Sequence, residues 1–345
     1  MPLQPSAPPD QDDLSMSQGD APVGVAGTKG AQETLAALNR GGHLARPIRP
    51  VSVDKEGRVD KAEAAGVTVL WRPGLTSRQW LLAAVDHLPD LAWVHSDAVG
   101  VDTLPVAELA ERGIVLTNGA GSFSRPMAEW VMLAILSAAK RFPRFVRLSD
   151  RGVWDPSPLL NELDGGVLLL LGLGSVNSLV ARMAAAFGME VRAVSRQARA
   201  NLPAGVTRMV SPDHWRAELS DTDYVALGLP LTPATANSID ADALDAMKPT
   251  AWLVNVARGA LVDEAALVRA LDAGQIGGAV LDTFVEEPLP EGHPLWGREN
   301  VIVVPHFTWS SPRSIARIEE LFAAQLARWL SATPLANVVD AAAGY

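Results

Sequence analysis

The hydrophobic pattern of this 345-residue chain changes period most sharply between Gly166 and Arg196, GVLLLLGLGSVNSLVARMAAAFGMEVRAVSR. Val167 to Leu171 is an unbroken apolar run, as expected of a strand buried on both faces. A turn, Gly172-Leu173-Gly174-Ser175, leads into apolar positions at Val176, Leu179, Val180, Met183, Ala184 and Phe187, the spacing of one helix face. Gly188 is placed to end that helix, and Val191 to Val194 reads as a second buried strand. Strand, tight turn, helix and strand make a βαβ unit suited to a dinucleotide. Gly172 lets the chain turn sharply, Gly174 lets backbone N–H groups approach a pyrophosphate, and the helix start offers unpaired donors with a favourable dipole. The glycine pattern is incomplete, because Asn177 stands at its third position.

Upstream, strand-like and helix-like pieces alternate from Ala21 to about Leu116. Val67 to Trp71 and Leu91 to His95 predict strands, and Ser77 to His87 and Pro105 to Arg112 predict helices, an α/β domain with parallel connections. In VHSDAVGVD, which follows the second of these strands, Val99, Gly100 and Val101 form a loop whose backbone N–H groups suit a small anion. Arg125 to Val146 predicts one long helix, apolar nearly all round, with Pro126 in its first turn and Pro143 at its end or at a kink. Ser149 to Leu163 is rich in turn residues and reads as a crossing between domains. Beyond Arg196, strands at Met209–Val210, Tyr224–Leu229, Trp252–Asn255, Gly278–Asp282 and Val301–Val304 alternate with helices at Asp240–Met247 and Asp263–Ala273, the pattern of a doubly wound parallel sheet.

Composition narrows the class. With 48% hydrophobic and 20% charged residues, a formal net charge of −10 and no run of lysine or arginine, the chain reads as a soluble globular protein, with neither nucleic acid nor membrane as a partner. The absence of cysteine rules out disulfides and thiolate metal ligation and fits a cytoplasmic location; no metal site is expected. Residues 1–20 carry prolines and acids where a signal peptide needs a basic start and an apolar core, and predict a disordered tail. The apolar stretch Trp130 to Ala139 is about half the length of a membrane span.

Ligands bind doubly wound sheets outside the carboxyl ends of the strands, where Arg258 (in NVARG), Asp282 and Glu287 (in LDTFVEEP) and His306 (in VPHFTW) fall. An arginine offers a bidentate fork to a carboxylate, a histidine gives or takes a proton near neutral pH, and a glutamate beside it stabilises its protonated form. The set suits reduction of a small 2-oxo acid with hydride from a nicotinamide. His293 reads as a loop residue. Ser195 ends the second strand of the βαβ unit, Arg196 and Arg199 follow, and no carboxylate lies between Glu190 and Asp213. The acid that would hydrogen-bond a ribose 2′-hydroxyl is thus missing, and NADP(H) is the expected cofactor, with NAD(H) possible.

The segments GLGSVN, NVARGALVDEAALVRAL, GGAVLDTFVEEPLP and NVIVVPHFTWSS resemble, in this order, the D-isomer-specific 2-hydroxyacid dehydrogenases, and within them the NADP-preferring glyoxylate/hydroxypyruvate reductases. The likeness extends from about Ala64 to the closing NVVD. It implies an α/β fold of two Rossmann-like domains with doubly wound parallel sheets. A dinucleotide-binding domain, 149–309, would be inserted into a split substrate-binding domain, 21–148 and 310–345, with Ser310 to Ala332 as the return crossing. The resemblance gives Arg258, Glu287 and His306 the catalytic roles and places the substrate carboxylate on Val99–Val101 and Arg258. Asp282 would contact the nicotinamide carboxamide, Ser175 and Val176 the pyrophosphate, and Val256 and Ala257 the region of the nicotinamide. Leu229, Pro230, Thr235, His306 and Trp309 complete the cofactor contacts that it implies, and a homodimer is expected. A competing reading is a non-catalytic dinucleotide-binding sensor or corepressor-like interaction protein, which only Asn177 favours. At that position an asparagine is expected to widen the turn and weaken cofactor affinity. Phe307 and Trp309 are large where many relatives carry small residues.

Overall fold

The computed structural model describes residues 21–42, 44–74, 76–157, 159–196 and 201–344; the expected tail, 1–20, and Arg199 lie outside the described residues. Strands and helices alternate. In chain order the first are β1 (Val23–Thr28), α1 (Lys29–Arg40), β2 (Ile48–Val53), α2 (Lys61–Ala64), β3 (Val67–Arg72), α3 (Arg78–His87), β4 (Trp93–Ser96), α4 (Val106–Glu111) and β5 (Val115–Thr117). There follow α5 (Ser124–Ala139), α6 (Phe142–Asp150), β6 (Val167–Leu171), α7 (Ser175–Ala186), β7 (Glu190–Val194), β8 (Arg208–Val210) and β9 (Tyr224–Leu227). The chain closes with α8 (Ala241–Asp245), β10 (Trp252–Asn255), α9 (Glu264–Asp272), β11 (Gly278–Leu281), β12 (Val301–Val303) and α10 (Pro312–Leu330). Ser77, Asp240 and Asp263 accept from backbone N–H groups at the starts of α3, α8 and α9, which is why those helices begin where they do.

Two compact units result. One runs to Ala120 and resumes at Ile315; the other is Gly121–Ser314. The first holds a parallel five-stranded sheet in the order β2-β1-β3-β4-β5, and Phe322 and Leu326 of α10 pack against its Trp71, Trp93 and Val25. The second holds a parallel seven-stranded sheet, β12-β11-β10-β9-β6-β7-β8. Its strand order reverses between β6 and β9, the switch point at which such sheets take ligands. Along β6 alternate side chains enter opposite layers: Leu169 and Leu171 join the core with Leu227 and Leu253, while Leu168 and Leu170 join Val180 and Ala184 of α7. Each of these four leucines is at most 1% exposed, a burial worth about 2 kcal/mol per side chain.

The division differs from the expected boundaries at 148/149 and 309/310. Ala128, Val131 and Ile135 of α5 are buried in one core with Leu168 of β6 and Val180 and Ala181 of α7, so 121–148 belong to the second unit, as does the supposed crossing 149–163. The stretch expected as one helix over 125–146, with an end or kink at Pro143, is two helices: Arg141 adopts φ 47° between α5 and α6, the left-handed conformation that ends a helix, and Pro143 stands in the first turn of α6.

Candidate active site

The glycine turn sits at the switch point of the larger sheet. Gly172 has φ 88°, and a Cβ there would lie 2.6 Å from the Gly228 carbonyl oxygen at the end of β9, so only glycine fits. Gly174 precedes the first turn of α7, and a Cβ on it would meet nothing within 4 Å. Ser175 and Val176 open the helix, whose first N–H groups need acceptors, and the Ser175 hydroxyl is held at 2.7 Å by Ser124 of α5. Asn177, expected to widen this turn, is bonded across it. It is 1% exposed, and its Nδ2 donates to the Gly172 carbonyl at 2.8 Å, tying the helix to the turn; only a glycine at 228 leaves room for its amide. A cradle of N–H donors with open space before it fits the pyrophosphate of a dinucleotide.

Around this cradle, Ser195 and Arg196 follow the end of β7, Ser195 half-buried and Arg196 exposed. After β9, Thr235 closes the PLTPAT turn: its hydroxyl donates to the Pro230 carbonyl at 2.6 Å and accepts from Thr232 N–H at 2.8 Å, while Leu229 packs against the core. After β10, Val256 is buried, and Ala257 N–H is fixed by the Asn255 side chain at 3.0 Å.

The catalytic candidates are joined by a chain of short contacts. Arg258 follows β10; its backbone carbonyl accepts from Asn255 Nδ2 at 2.8 Å, and its Nη1 donates to the Ala257 carbonyl at 2.8 Å. Gly259 lies so close to the Phe284 backbone that a Cβ would overlap the Phe284 carbonyl. The Phe284 N–H donates to Glu287 Oε1 at 2.9 Å, and Glu287 Oε2 lies 2.7 Å from His306 Nδ1. A carboxylate facing Nδ1 leaves Nε2 to exchange a proton with a substrate. His306 itself has φ 51°. That turn is held by Asp282, which accepts from Phe307 N–H at 2.8 Å and from the Thr308 hydroxyl at 2.5 Å. Burial pushes the Asp282 carboxyl up, against the opposing pull of Thr308, the Phe307 N–H and His306. Asp282 therefore anchors the histidine turn, a role that its sequence context did not signal. Trp309 Nε1 donates to the His306 carbonyl at 3.0 Å, and the Trp309 ring meets Phe307 and Phe123 edge-on. His293, read as a loop residue, faces Glu264 at 3.2 Å.

Val99, Gly100 and Val101 belong to the smaller unit, beyond the end of β4. Val99 is exposed, Gly100 half-buried and Val101 buried, and the Val99 carbonyl accepts from Asn118 Nδ2 at 2.9 Å. Beneath this loop, His95 is buried with Nδ1 2.8 Å from the Thr117 hydroxyl, and burial pushes its pKa down to about 4. Asp97 accepts from Trp71 Nε1 at 2.7 Å. Its pKa is pushed up to about 6, by burial first and by Glu319, against the Trp71 bond and the Arg72 charge. The folded state thus holds the Asp97 proton more tightly than the unfolded chain, and stability falls as pH rises from about 4 to about 6. Asp97→Asn keeps an acceptor for Trp71 without the charge. Above pH 6 it is expected to be more stable by about 2 kcal/mol, roughly 5 °C in Tm, the gain vanishing near pH 4. Thermal melts across that range check this.

Among the described residues no cluster of three or more His, Asp or Glu could hold a metal ion, and no helix is long and apolar enough to cross a membrane. Fold and site together define an oxidoreductase of the dinucleotide-binding α/β class. The model of the NAD-binding domain of the D-isomer-specific 2-hydroxyacid dehydrogenases matches residues 132–308. A glyoxylate reductase of Thermofilum pendens is 33% identical over 247 residues, 70% of this chain and 73% of its own, and one of Aeropyrum pernix is 35% identical over 266 residues, 74% and 78%. A D-isomer-specific 2-hydroxyacid dehydrogenase of Xanthobacter autotrophicus, solved with NADPH, superposes with a TM-score of 0.78 at 27% identity, covering 94% of this chain and all of that one. An NADPH-dependent glyoxylate/hydroxypyruvate reductase of Sinorhizobium meliloti, solved with NADP and malonate, gives 0.74 at 26% identity, covering 93% and 98%. The chain belongs to the D-isomer-specific 2-hydroxyacid dehydrogenases. It is an NAD(P)-dependent oxidoreductase acting on small 2-oxo and 2-hydroxy acids, and the non-catalytic sensor reading is not favoured.

Proposed function

We propose that the chain reduces a short 2-oxo acid of the glyoxylate or hydroxypyruvate type to the D-2-hydroxy acid, with NADPH as the preferred cofactor. The observation that carries this reading is the Glu287–His306 pair at 2.7 Å beyond the strand ends of a dinucleotide-binding sheet. When bound, the nicotinamide supplies hydride to the carbonyl carbon. His306 gives its Nε2 proton to the carbonyl oxygen, and Glu287 steadies the imidazolium through Nδ1. Arg258 holds the carboxylate and polarises the ketone, and backbone N–H groups of Val99–Val101 take the carboxylate oxygens. Assaying the purified protein against 2-oxo acids with either cofactor tests the reading.

The cofactor preference is supported by Ser195 and Arg196 after β7 and by the lack of a carboxylate there. An arginine gives a 2′-phosphate charge-assisted bonds that a hydroxyl cannot match. The wild type is expected to favour NADPH in kcat/KM, and Arg196→Ala to lose about tenfold of that preference. A wild type favouring NADH, or a variant that keeps its NADPH preference, contradicts the assignment.

A homodimer is supported by apolar surface on α5, α6 and the segment after them. Leu133, Phe142 and Val146 are exposed beside a cavity of about 360 Å³, and Trp154 and Leu159 are 94% and 91% exposed. A second copy related by two-fold symmetry covers such a surface. Light scattering at micromolar concentration is expected to give twice the 36.5 kDa chain mass, and a monomer mass contradicts it. The cysteine-free composition supports residence in the reducing cytoplasm.

A further inference from the structure

We propose that Asn118, clasped by Asn337 of the C-terminal segment, is a positioning residue that aims the Gly100 N–H at the substrate carboxylate and so sets KM for the 2-oxo acid. This rests on the reading of Val99–Val101 as the carboxylate loop. Asn118 follows β5, and its Nδ2 donates to the Val99 carbonyl at 2.9 Å, while its Oδ1 accepts from Ala120 N–H at 3.1 Å, fixing the amide's orientation. The Val99 C=O and the Gly100 N–H belong to one planar trans peptide and point in opposite directions. Holding the carbonyl toward Asn118 therefore turns the Gly100 N–H to the other side of the loop. Among the described residues neither Gly100 nor Val101 N–H has a protein acceptor, so both donors are available to an anion.

The neighbouring backbone reinforces this aim. Gly119 N–H donates to the Ala98 carbonyl at 3.0 Å, and a Cβ at 119 would overlap the Asp97 carbonyl, so 118–120 lie directly against 97–99. From the other side, Asn118 N–H donates to the Asn337 carbonyl at 3.1 Å, and Asn337 Nδ2 donates to the Ala120 carbonyl at 2.9 Å. Asn337 has φ 54°, and the residues after it pair with β5, Val339 N–H donating to Leu116 at 2.9 Å. The chain of contacts runs from the C-terminal segment through Asn118 to the Val99–Gly100 peptide.

Steady-state kinetics with glyoxylate and NADPH, together with amide hydrogen exchange of 97–104, test the proposal in Asn118→Ala, the isosteric Asn118→Asp and Asn337→Gly, whose backbone tolerates the left-handed conformation. In Asn118→Ala the KM for glyoxylate is expected to rise about tenfold, the worth of one well-placed hydrogen bond, with kcat within about threefold and KM for NADPH unchanged. Asn118→Asp keeps the shape but sets oxygen against the Val99 carbonyl, so it is expected to match or exceed the alanine variant; Asn337→Gly moves KM the same way by less. Exchange at 97–104 is expected to quicken while that of 172–177 stays fixed. If Asn118→Asp restores KM, or KM and exchange are unchanged in all three, the proposal is overturned. A wild type that turns over no 2-oxo acid overturns the functional reading instead. Unchanged exchange at 97–104 would then overturn the positioning role as well, and faster exchange would support it.

Discussion

His306→Asn is expected to lower turnover by about two to four powers of ten while leaving NADPH affinity within about twofold, because a placed general acid is worth that much and asparagine cannot carry a proton to the alkoxide. The separation of effects follows from the geometry. The glycine turn proposed to take the pyrophosphate, Gly172 and Gly174, lies between β6 and α7, whereas the His306 side chain follows β12 and faces Glu287 Oε2. Asparagine also tolerates the φ of 51° at this position better than most residues, so the turn held by Asp282 survives the change. Stopped-flow reduction with saturating NADPH, with a separate fluorescence titration of the cofactor, measures the two quantities. Turnover within threefold of the wild type would remove His306 from the mechanism.

Gly259→Ala is expected to reduce kcat/KM by about a hundredfold, because an ångström of displacement at a reacting group costs that much. A methyl at 259 overlaps the Phe284 carbonyl, and both partners are backbone, so neither can swing aside. Relief requires the Arg258 segment and the Phe284 segment to part. The second of these is held by Glu287 Oε1 at 2.9 Å, and Glu287 in turn holds His306. One methyl thus disturbs the arginine, the glutamate and the histidine together. Overpacking of this kind costs about 2 kcal/mol, roughly 5 °C in Tm. A variant with normal kinetics and an unchanged melt would show that the two loops are not coupled.

The larger sheet was legible because strands buried on both faces carry apolar runs: Val167–Leu171 is unbroken and coincides with β6, and Trp252–Asn255, apolar up to Val254, coincides with β10. The first two strands were harder to read. Gly24 breaks the apolar run of β1 because the Gly66 carbonyl would lie 2.6 Å from any Cβ there, and β2 sits at the sheet edge, where Pro50 is tolerated. The break between α5 and α6 was signalled by Pro143, which stands in the first turn of α6, but its position at Arg141, in the left-handed conformation, was not. For the site, residue type and strand-end position singled out Arg258, Glu287 and His306. The contacts that hold them, Gly259 on Phe284 and Asp282 on the His306 turn, join segments 25 to 26 residues apart in sequence and become visible only when the strands are laid side by side, as does the bond of Asn118 to Val99 in the smaller unit. Asn177 shows the reverse case. Read as a defect in a glycine pattern, it proves to be a buried amide bonded to the turn that it was expected to loosen.

The most direct measurement of the central claim is NADPH oxidation by the purified protein with glyoxylate, hydroxypyruvate, pyruvate and phenylpyruvate in turn, with chiral analysis of each chiral product. The account predicts oxidation with the shorter acids and exclusively D-2-hydroxy acid product wherever the product is chiral. No oxidation with any of the four under either cofactor, or an L product, would contradict it.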